Sequence, residues 1–388
     1  MIDRNYNFFS SRSTPEKQRI QRLVVDPLGR GSYNLAAACE ARSCRSAGEP
    51  QRHFSRDPVT RSRIVGTGSF LPSRVVDNEE VAAPLGLESN QIVALTGIRT
   101  RHWAEPGQAS SDLAVVAAQR ACEAAGLAPE SIEGIIVSTT SPDSAFPSTA
   151  CHVQRAIGAK SVMAFDLSAS CSGFLYGLSM ADVLIRSGQV RTCLVIASEI
   201  KSRSLNLLDK ETAVLFGDGA GAVVVAAEDS TSPDAPGILA VRLYAEGSGH
   251  DLITIPAGGS RQPSSLEGMR AKEHTLRMRG SAVFRSAVRR LEQAVSTLLK
   301  EFGLTVGDVA HVIAHQANAR ILEQLRRRLG LPHEALYSVI DRYGNTSSAS
   351  LPIALDHAVR EHRFAAGDLL VLGAFGGGMT YATGLVRW

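Results

Sequence analysis

The chain is poor in aromatic residues, which make up 5% of its 388 positions, and neither charge sign dominates, with 41 basic against 38 acidic side chains. So close a balance excludes a dedicated nucleic-acid binder, although a local basic patch for an acidic partner is still possible. No two cysteines are spaced C-x-x-C, so no zinc site is signalled and no metal is expected. The six cysteines are Cys39, Cys44, Cys122, Cys151, Cys171 and Cys193. Their scatter fits reduced thiols used mostly as small buried residues. No apolar run approaches the roughly 18 residues of a membrane-crossing helix, and the N-terminus lacks a signal-peptide core. These absences predict a cytoplasmic protein without membrane association.

Small and apolar residues are plentiful, with 34 glycines and a hydrophobic fraction of 44%. That suits helices packed closely on sheets. The length predicts two domains or one duplicated unit.

Residues 1–60 are polar and arginine-rich with little periodicity, and read as a disordered or loosely attached extension. A targeting peptide fits less well, because Asp3, Glu16, Asp26 and Glu40 interrupt it. From Arg63 the texture is globular. Buried strands are predicted at 134–140, 192–197, 221–227, 311–314 and 368–373, as continuous apolar runs of the kind found in sheets covered on both faces. Ser111–Ala125 and Ser281–Phe302 carry helical stripes, the second stopped by Gly303. The order helix, strand, polar turn, helix, strand runs through about 110–199 and again through about 281–375. Two facing α/β halves, 61–235 and 236–388, would put a site at their junction.

The sharpest local feature is Phe165-Asp-Leu-Ser-Ala-Ser-Cys171-Ser-Gly-Phe. Small residues permit a tight strand-to-helix turn with the sulfur at a helix N-terminus, a setting that favours thiolate and nucleophilic chemistry. A lone cysteine is more often core packing; Cys193, inside an apolar strand, and Cys151 keep that reading. His315 follows the strand at 311–314 and opens a helix. Asn345 precedes another helix, and both are expected at strand-to-helix turns. Taken singly, a structural histidine and a capping asparagine are the commoner uses. The turn Phe216-Gly-Asp-Gly-Ala-Gly221 superficially resembles a dinucleotide loop. Asp218 stands where phosphate would approach and a strand follows, so it reads as a tight turn. Phe375-Gly-Gly-Gly-Met379 could be a plain loop or could expose N–H donors to a substrate.

Across about residues 62–388 the chain resembles β-ketoacyl-[acyl-carrier-protein] synthase III. The likeness is carried by Ile64-Val-Gly-Thr-Gly-Ser-Phe-Leu-Pro, Thr96-Gly-Ile-Arg-Thr-Arg-His, Ala145-Phe-Pro-Ser and the Cys171 turn. It continues through Phe216-Gly-Asp-Gly-Ala-Gly, His315-Gln-Ala-Asn-Ala-Arg, Gly344-Asn-Thr-Ser-Ser-Ala-Ser and Phe375-Gly-Gly-Gly. The resemblance implies an α/β, thiolase-like, five-layered αβαβα fold of two pseudo-duplicated halves, assembled as a homodimer. It implies a decarboxylative condensation of an acyl thioester primer with malonyl-acyl carrier protein, and no cofactor beyond these substrates. Cys171 would carry the acyl group. His315 and Asn345 would stabilise the enolate left by CO₂. Backbone N–H groups of Cys171 and Gly377 would hold the oxyanion. The acyl pocket would include Phe146, reaching across the dimer, with Leu215 and Phe375. Gln91, Thr96, Lys210, Gly280 and Asn318 would line the coenzyme A or pantetheine region. Arg285, Arg320, Arg327 and Arg328, beside Arg289 and Arg290, would receive the acidic carrier protein.

Gln91 and Lys210 stand where the family stacks adenine between an aromatic and an arginine, and Leu95 replaces a basic residue. Stacking should be poorer, so the primer need not be acetyl-CoA. Residues 258–277 also look longer than in the family and predict an inserted loop near the entrance. A rival reading is a non-decarboxylative acyltransferase or a specialised-metabolite condensing enzyme on the same fold. A degradative thiolase would need a second cysteine in the last glycine turn, where Ala374-Phe375-Gly376 has none. A non-catalytic subunit would not keep Cys171, His315 and Asn345 together.

Overall fold

In this computed structural model, which describes residues 61–388 apart from Thr231 and Pro233, the apolar runs form two sheets of five strands each. The first contains β1 (Arg61–Phe70), β2 (Gly134–Ser138), β3 (Met163–Leu167), β4 (Thr192–Glu199) and β5 (Gly219–Glu228), in the order β1-β5-β4-β2-β3. The second contains β6 (Gly237–Ala245), β7 (His311–Ala314), β8 (Leu336–Tyr337), β9 (Leu369–Gly376) and β10 (Thr380–Arg387), in the order β6-β10-β9-β7-β8. Each sheet pairs three strands in parallel on one side and adds two antiparallel strands on the other. The two orders are therefore the same pattern used twice. The expectation for residues 1–60 lies outside the described residues.

Six helices repeat the correspondence. In the first half α1 (Ser110–Ala125), α2 (Thr149–Ile157) and α3 (Gly173–Arg186) follow β1, β2 and β3. In the second, α4 (Gly280–Glu301), α5 (Ala319–Leu329) and α6 (Ser350–Arg360) follow β6, β7 and β8. Helices α1 and α2 pack on the outer face of the first sheet, and α4 packs with α5 on the outer face of the second. Helices α3 and α6 lie between the sheets. The result is the αβαβα stack that the resemblance implied.

The sandwiched helices explain the apolar runs. Helix α3 buries Phe174, Leu175, Leu178 and Ile185, and α6 buries Leu351, Ile353, Ala354 and Leu355, all without exposure. Each large side chain stabilises its helix by about 1.5–3 kcal/mol. The polar turns at the heads of α3 and α6 are thereby fixed to the most rigid layer. The predicted helix ends hold within a residue, and Gly303, at φ 66°, takes the left-handed conformation that ends α4.

Candidate active site

Cys171 lies in the connection from β3 to α3, and Asn345 lies in the equivalent connection from β8 to α6 in the other half. His315 comes directly after β7. Duplication thus aims three strand-end turns at the junction between the halves.

The nucleophile turn is a single 3₁₀ turn, Ser170–Ser172, and α3 begins at Gly173. Ser170 holds a left-handed φ of 50°, an uncommon conformation for a serine. Strand β9 passes so close that a Cβ on Gly376 would sit 2.5 Å from the Cys171 nitrogen, so only glycine fits there. Cys171 is 8% exposed, with its Sγ 3.4 Å from Ser347 Oγ and 3.9 Å from Ser170 Oγ. Burial pushes its thiol up; Ser347, Lys201 and Ser170 oppose this, and Glu199 adds to it. The expected thiolate-favouring setting is corrected here. The turn is present, but loss of water outweighs its donors and raises the thiol rather than lowering it.

His315 is 2% exposed, and burial pulls its pKa down to about 3, so the ring is neutral. Its Nδ1 lies 2.5 Å from Ser350 Oγ, which also accepts the Gln316 N–H at 3.1 Å. With one lone pair taken by Gln316, the Ser350 hydroxyl can give its hydrogen to Nδ1, the arrangement that puts the ring proton on Nε2. Phe375 packs against the imidazole with ring centroids 5.3 Å apart. A neutral N–H donor held in this way is built to meet developing negative charge.

Asn345 does not follow its strand directly. A one-turn helix, Ile340–Tyr343, precedes it, and Gly344 at φ 64° redirects the chain. The backbone is then clamped to the first half. Asn345 N–H donates to the Leu215 carbonyl at 2.9 Å, and Gly217 N–H donates to the Asn345 carbonyl at 3.1 Å. The side-chain Oδ1 accepts Ser347 N–H at 2.9 Å, which leaves the Nδ2 hydrogens for a ligand. The Phe216-Gly-Asp-Gly turn has a structural task. Asp218 is fully buried, accepting from Ala104 N at 2.7 Å and from Ser202 Oγ at 2.6 Å, with no room for phosphate.

Cys171, His315 and Asn345 line one cavity of about 630 Å³. Leu215 and Phe375 line it with them. Thr96, Lys210, Gly280 and Asn318 also line it, as do Arg285 and Arg320. Other expected site residues fall elsewhere. Gln91 uses its Oε1 to accept the Glu88 N–H at 2.8 Å, capping the helix Ser89–Thr96, and does not reach the cavity. Phe146 is 85% exposed and is absent from the lining. Arg327 is paired with Glu323 at 2.5 Å and Arg328 with Glu292 at 2.7 Å, so neither is a free cation, whereas Arg285, Arg289 and Arg320 have no carboxylate within 4.0 Å among the described residues. The Gly377 N–H donates to Ser170 Oγ at 3.0 Å. The predicted entrance loop, 258–277, belongs to a stretch closed at its base by pairing of Ile253–Thr254 with Arg277–Met278, and Ile253, Ile255, Leu276 and Met278 border the cavity.

Five residues of this site were not singled out from the sequence: Thr140, Ser170, Glu199, Lys201 and Ser347. Glu199 and Lys201 left one signal, two charges at and just past the end of the mostly apolar strand β4. Among the described residues no cluster of three metal-ligating side chains occurs, and no helix is long and apolar enough to cross a membrane.

The buried neutral histidine also sets an acid limit on stability. Its folded pKa, about 3, lies below its ordinary value of 6.5, so between these the unfolded chain binds more protons. Stability from this group is complete above about pH 6.5 and is lost as pH falls toward 3. Urea unfolding should show a loss near 2 kcal/mol between about pH 7 and pH 5, and His315→Gln should remove that part of the slope. An unchanged slope in the variant would mean that His315 is not held neutral.

A thiol on a strand-to-helix turn, facing imidazole and carboxamide donors from a duplicated α/β half, defines a condensing enzyme of the thiolase type. Residues 165–247 and 299–388 match the family models for 3-oxoacyl-[acyl-carrier-protein] synthase III and for its C-terminal part. The chain is 46% identical over 330 residues to the β-ketoacyl-[acyl-carrier-protein] synthase III of Erythrobacter litoralis, covering 85% of this chain and all of that one. It is 45% identical to the protein of the same name from Caldanaerobacter subterraneus, over 84% of this chain and 97% of that one. The crystal structure of 3-oxoacyl-[acyl-carrier-protein] synthase III from Aquifex aeolicus superposes with a TM-score of 0.76 at 40% identity, covering 84% of this chain and 100% of that one. The priming β-ketosynthase of the R1128 polyketide pathway superposes at 0.78 and 36% identity, over 86% of this chain and 98% of that one. This chain belongs to the β-ketoacyl-[acyl-carrier-protein] synthase III family.

Proposed function

We propose that this protein condenses an acyl thioester primer with malonyl-acyl carrier protein, releasing CO₂ and giving a 3-oxoacyl-acyl carrier protein. The observation that carries the reading is the convergence of Cys171, His315 and Asn345 on one buried chamber. Cys171 gives up its proton as its sulfur attacks the primer carbonyl, and the carrier thiol leaves protonated. Malonyl thioester then enters. Loss of CO₂ moves an electron pair toward the thioester carbonyl, whose oxygen takes hydrogen bonds from His315 Nε2–H and Asn345 Nδ2–H. The carbanion attacks the acyl-Cys171 carbonyl and expels the Cys171 thiolate, which takes a proton from solvent to regenerate the thiol. CO₂ loss itself creates the carbanion, so no carboxylate base is needed. Each fixed neutral donor lowers the barrier by roughly 3 kcal/mol in a site closed to water.

The Cys171 and Gly377 N–H groups serve as oxyanion donors, the second exchanging its rest-state partner Ser170 Oγ for the substrate oxygen. Arg285 and Arg320, in the cavity lining, receive the acidic carrier protein. The protein works in the cytoplasm as a homodimer. Exposed Phe146 is then explained as the residue that closes the acyl pocket of the partner subunit. The folded region divides near residue 235, where the chain passes from β5 to β6, that is, from one sheet to the other.

The test is release of ¹⁴CO₂ from carboxyl-labelled malonyl-acyl carrier protein, dependent on an acyl primer. Simple acyl transfer would release none and would contradict the proposal.

A further inference from the structure

Beside Cys171 the cavity wall holds a buried ion pair. Lys201, 4% exposed, has its Nζ 3.0 Å from Glu199 Oε2, and Glu199 is wholly buried. The pair is tied to the nucleophile, because Ser347 Oγ lies 3.4 Å from Cys171 Sγ and donates to Glu199 Oε1 at 3.2 Å.

Counting donors and acceptors shows what is left over. Glu199 also accepts from Thr140 N–H at 3.2 Å, Ser141 Oγ at 2.8 Å and Ser348 Oγ at 2.8 Å. Its carboxylate is saturated. Thr140 Oγ1 donates to Glu199 and accepts from Lys201. An ammonium has three donors, and Lys201 uses one on Glu199 and one on Thr140. The third has no protein partner among the described residues, and Lys201 lines the cavity. A plain alkyl chain laid against this wall would leave a desolvated N–H unpaired, which is costly.

Resting on the condensing reading above, we propose that Lys201 selects a short primer acyl group bearing a neutral oxygen acceptor, a hydroxyl or keto oxygen, over the corresponding alkyl group. A carboxylate fits less well. Glu199 already balances Lys201, so a second anion would be uncompensated beside the site where the enolate charge develops. Loading is an ordinary transfer: the Cys171 S–H gives its proton to the departing coenzyme A sulfur as the new thioester bond forms.

The test is the initial rate of acyl-Cys171 formation, followed by intact mass, with butyryl-, 3-hydroxybutyryl-, acetoacetyl- and succinyl-coenzyme A. The unaltered protein should favour 3-hydroxybutyryl or acetoacetyl over butyryl by about tenfold or more, the range of one hydrogen bond to a charged donor. Succinyl should trail both. Lys201→Leu strands the Glu199 carboxylate and could fail to fold, so the deciding variant is Lys201→Met with Glu199→Gln, which removes both charges. It should lose the oxygen preference, so that the ratio of 3-hydroxybutyryl to butyryl loading falls to about one whatever the absolute rates. Equal rates for butyryl and 3-hydroxybutyryl in the unaltered protein would overturn the proposal, as would an unchanged preference in the double variant. Succinyl as the best substrate would overturn the neutral-oxygen assignment. If the protein loads these thioesters without discrimination, only the role of Lys201 fails. If no thioester gives an adduct, the condensing reading fails with it.

Discussion

Cys171→Ala should give a folded protein that gains no mass from any acyl thioester and releases no CO₂ in a primer-dependent way. The fall in condensation should be about 10⁴-fold or more, since the variant has no atom to carry the acyl group. Structure should survive. Alanine fits the turn, and Ser347 keeps its bond to Glu199 when the sulfur is gone. Thermal unfolding should therefore move by only a few degrees. The other described cysteines do not offer a substitute. Burial raises Cys122 to about 11 and Cys193 to about 12, which leaves both as inert thiols. Cys151 is exposed and could be labelled by a reactive reagent, but it lies outside the cavity. An adduct that persists in Cys171→Ala would move the chemistry to another residue.

Asn345→Ala and His315→Ala should divide the two half-reactions. Each removes one donor to the thioester oxygen on which negative charge builds as CO₂ leaves, so decarboxylation should fall by about 10²–10³-fold. Loading of Cys171 should fall much less, because the primer carbonyl is held by backbone N–H groups instead. The asparagine variant also takes the acceptor away from the Ser347 N–H, at a stability cost of about 1–3 kcal/mol, so both rates should be measured well below its melting point. Equal loss of loading and decarboxylation in both variants would contradict the assigned roles.

The layered fold was readable because buried strands and helix stripes are local patterns. The apolar runs at 192–197 and 311–314 became β4 and β7, and Ser281–Phe302 became α4 within a residue. The Cys171 turn was readable for the same reason, since small residues between a strand and a helix leave a local signature. Asn345 was less so. Its position depends on clamping by Leu215 and Gly217, 128 and more residues earlier, and no local pattern encodes that pairing. Gln91 does not line the cavity, and its side chain instead accepts the Glu88 N–H of its own helix.

The sequence by itself determined the duplicated order of elements and marked the Cys171 turn, because each follows from residue types within a few positions of one another, whereas the roles of His315 and Asn345 come from the family resemblance. Tertiary structure alone decided the state of the sulfur, the tautomer of His315 and the pairing of Lys201 with Glu199. These are set by loss of water and by hydrogen-bond partners brought from distant stretches. Desolvation depends on everything that surrounds a group, which the chain order does not reveal.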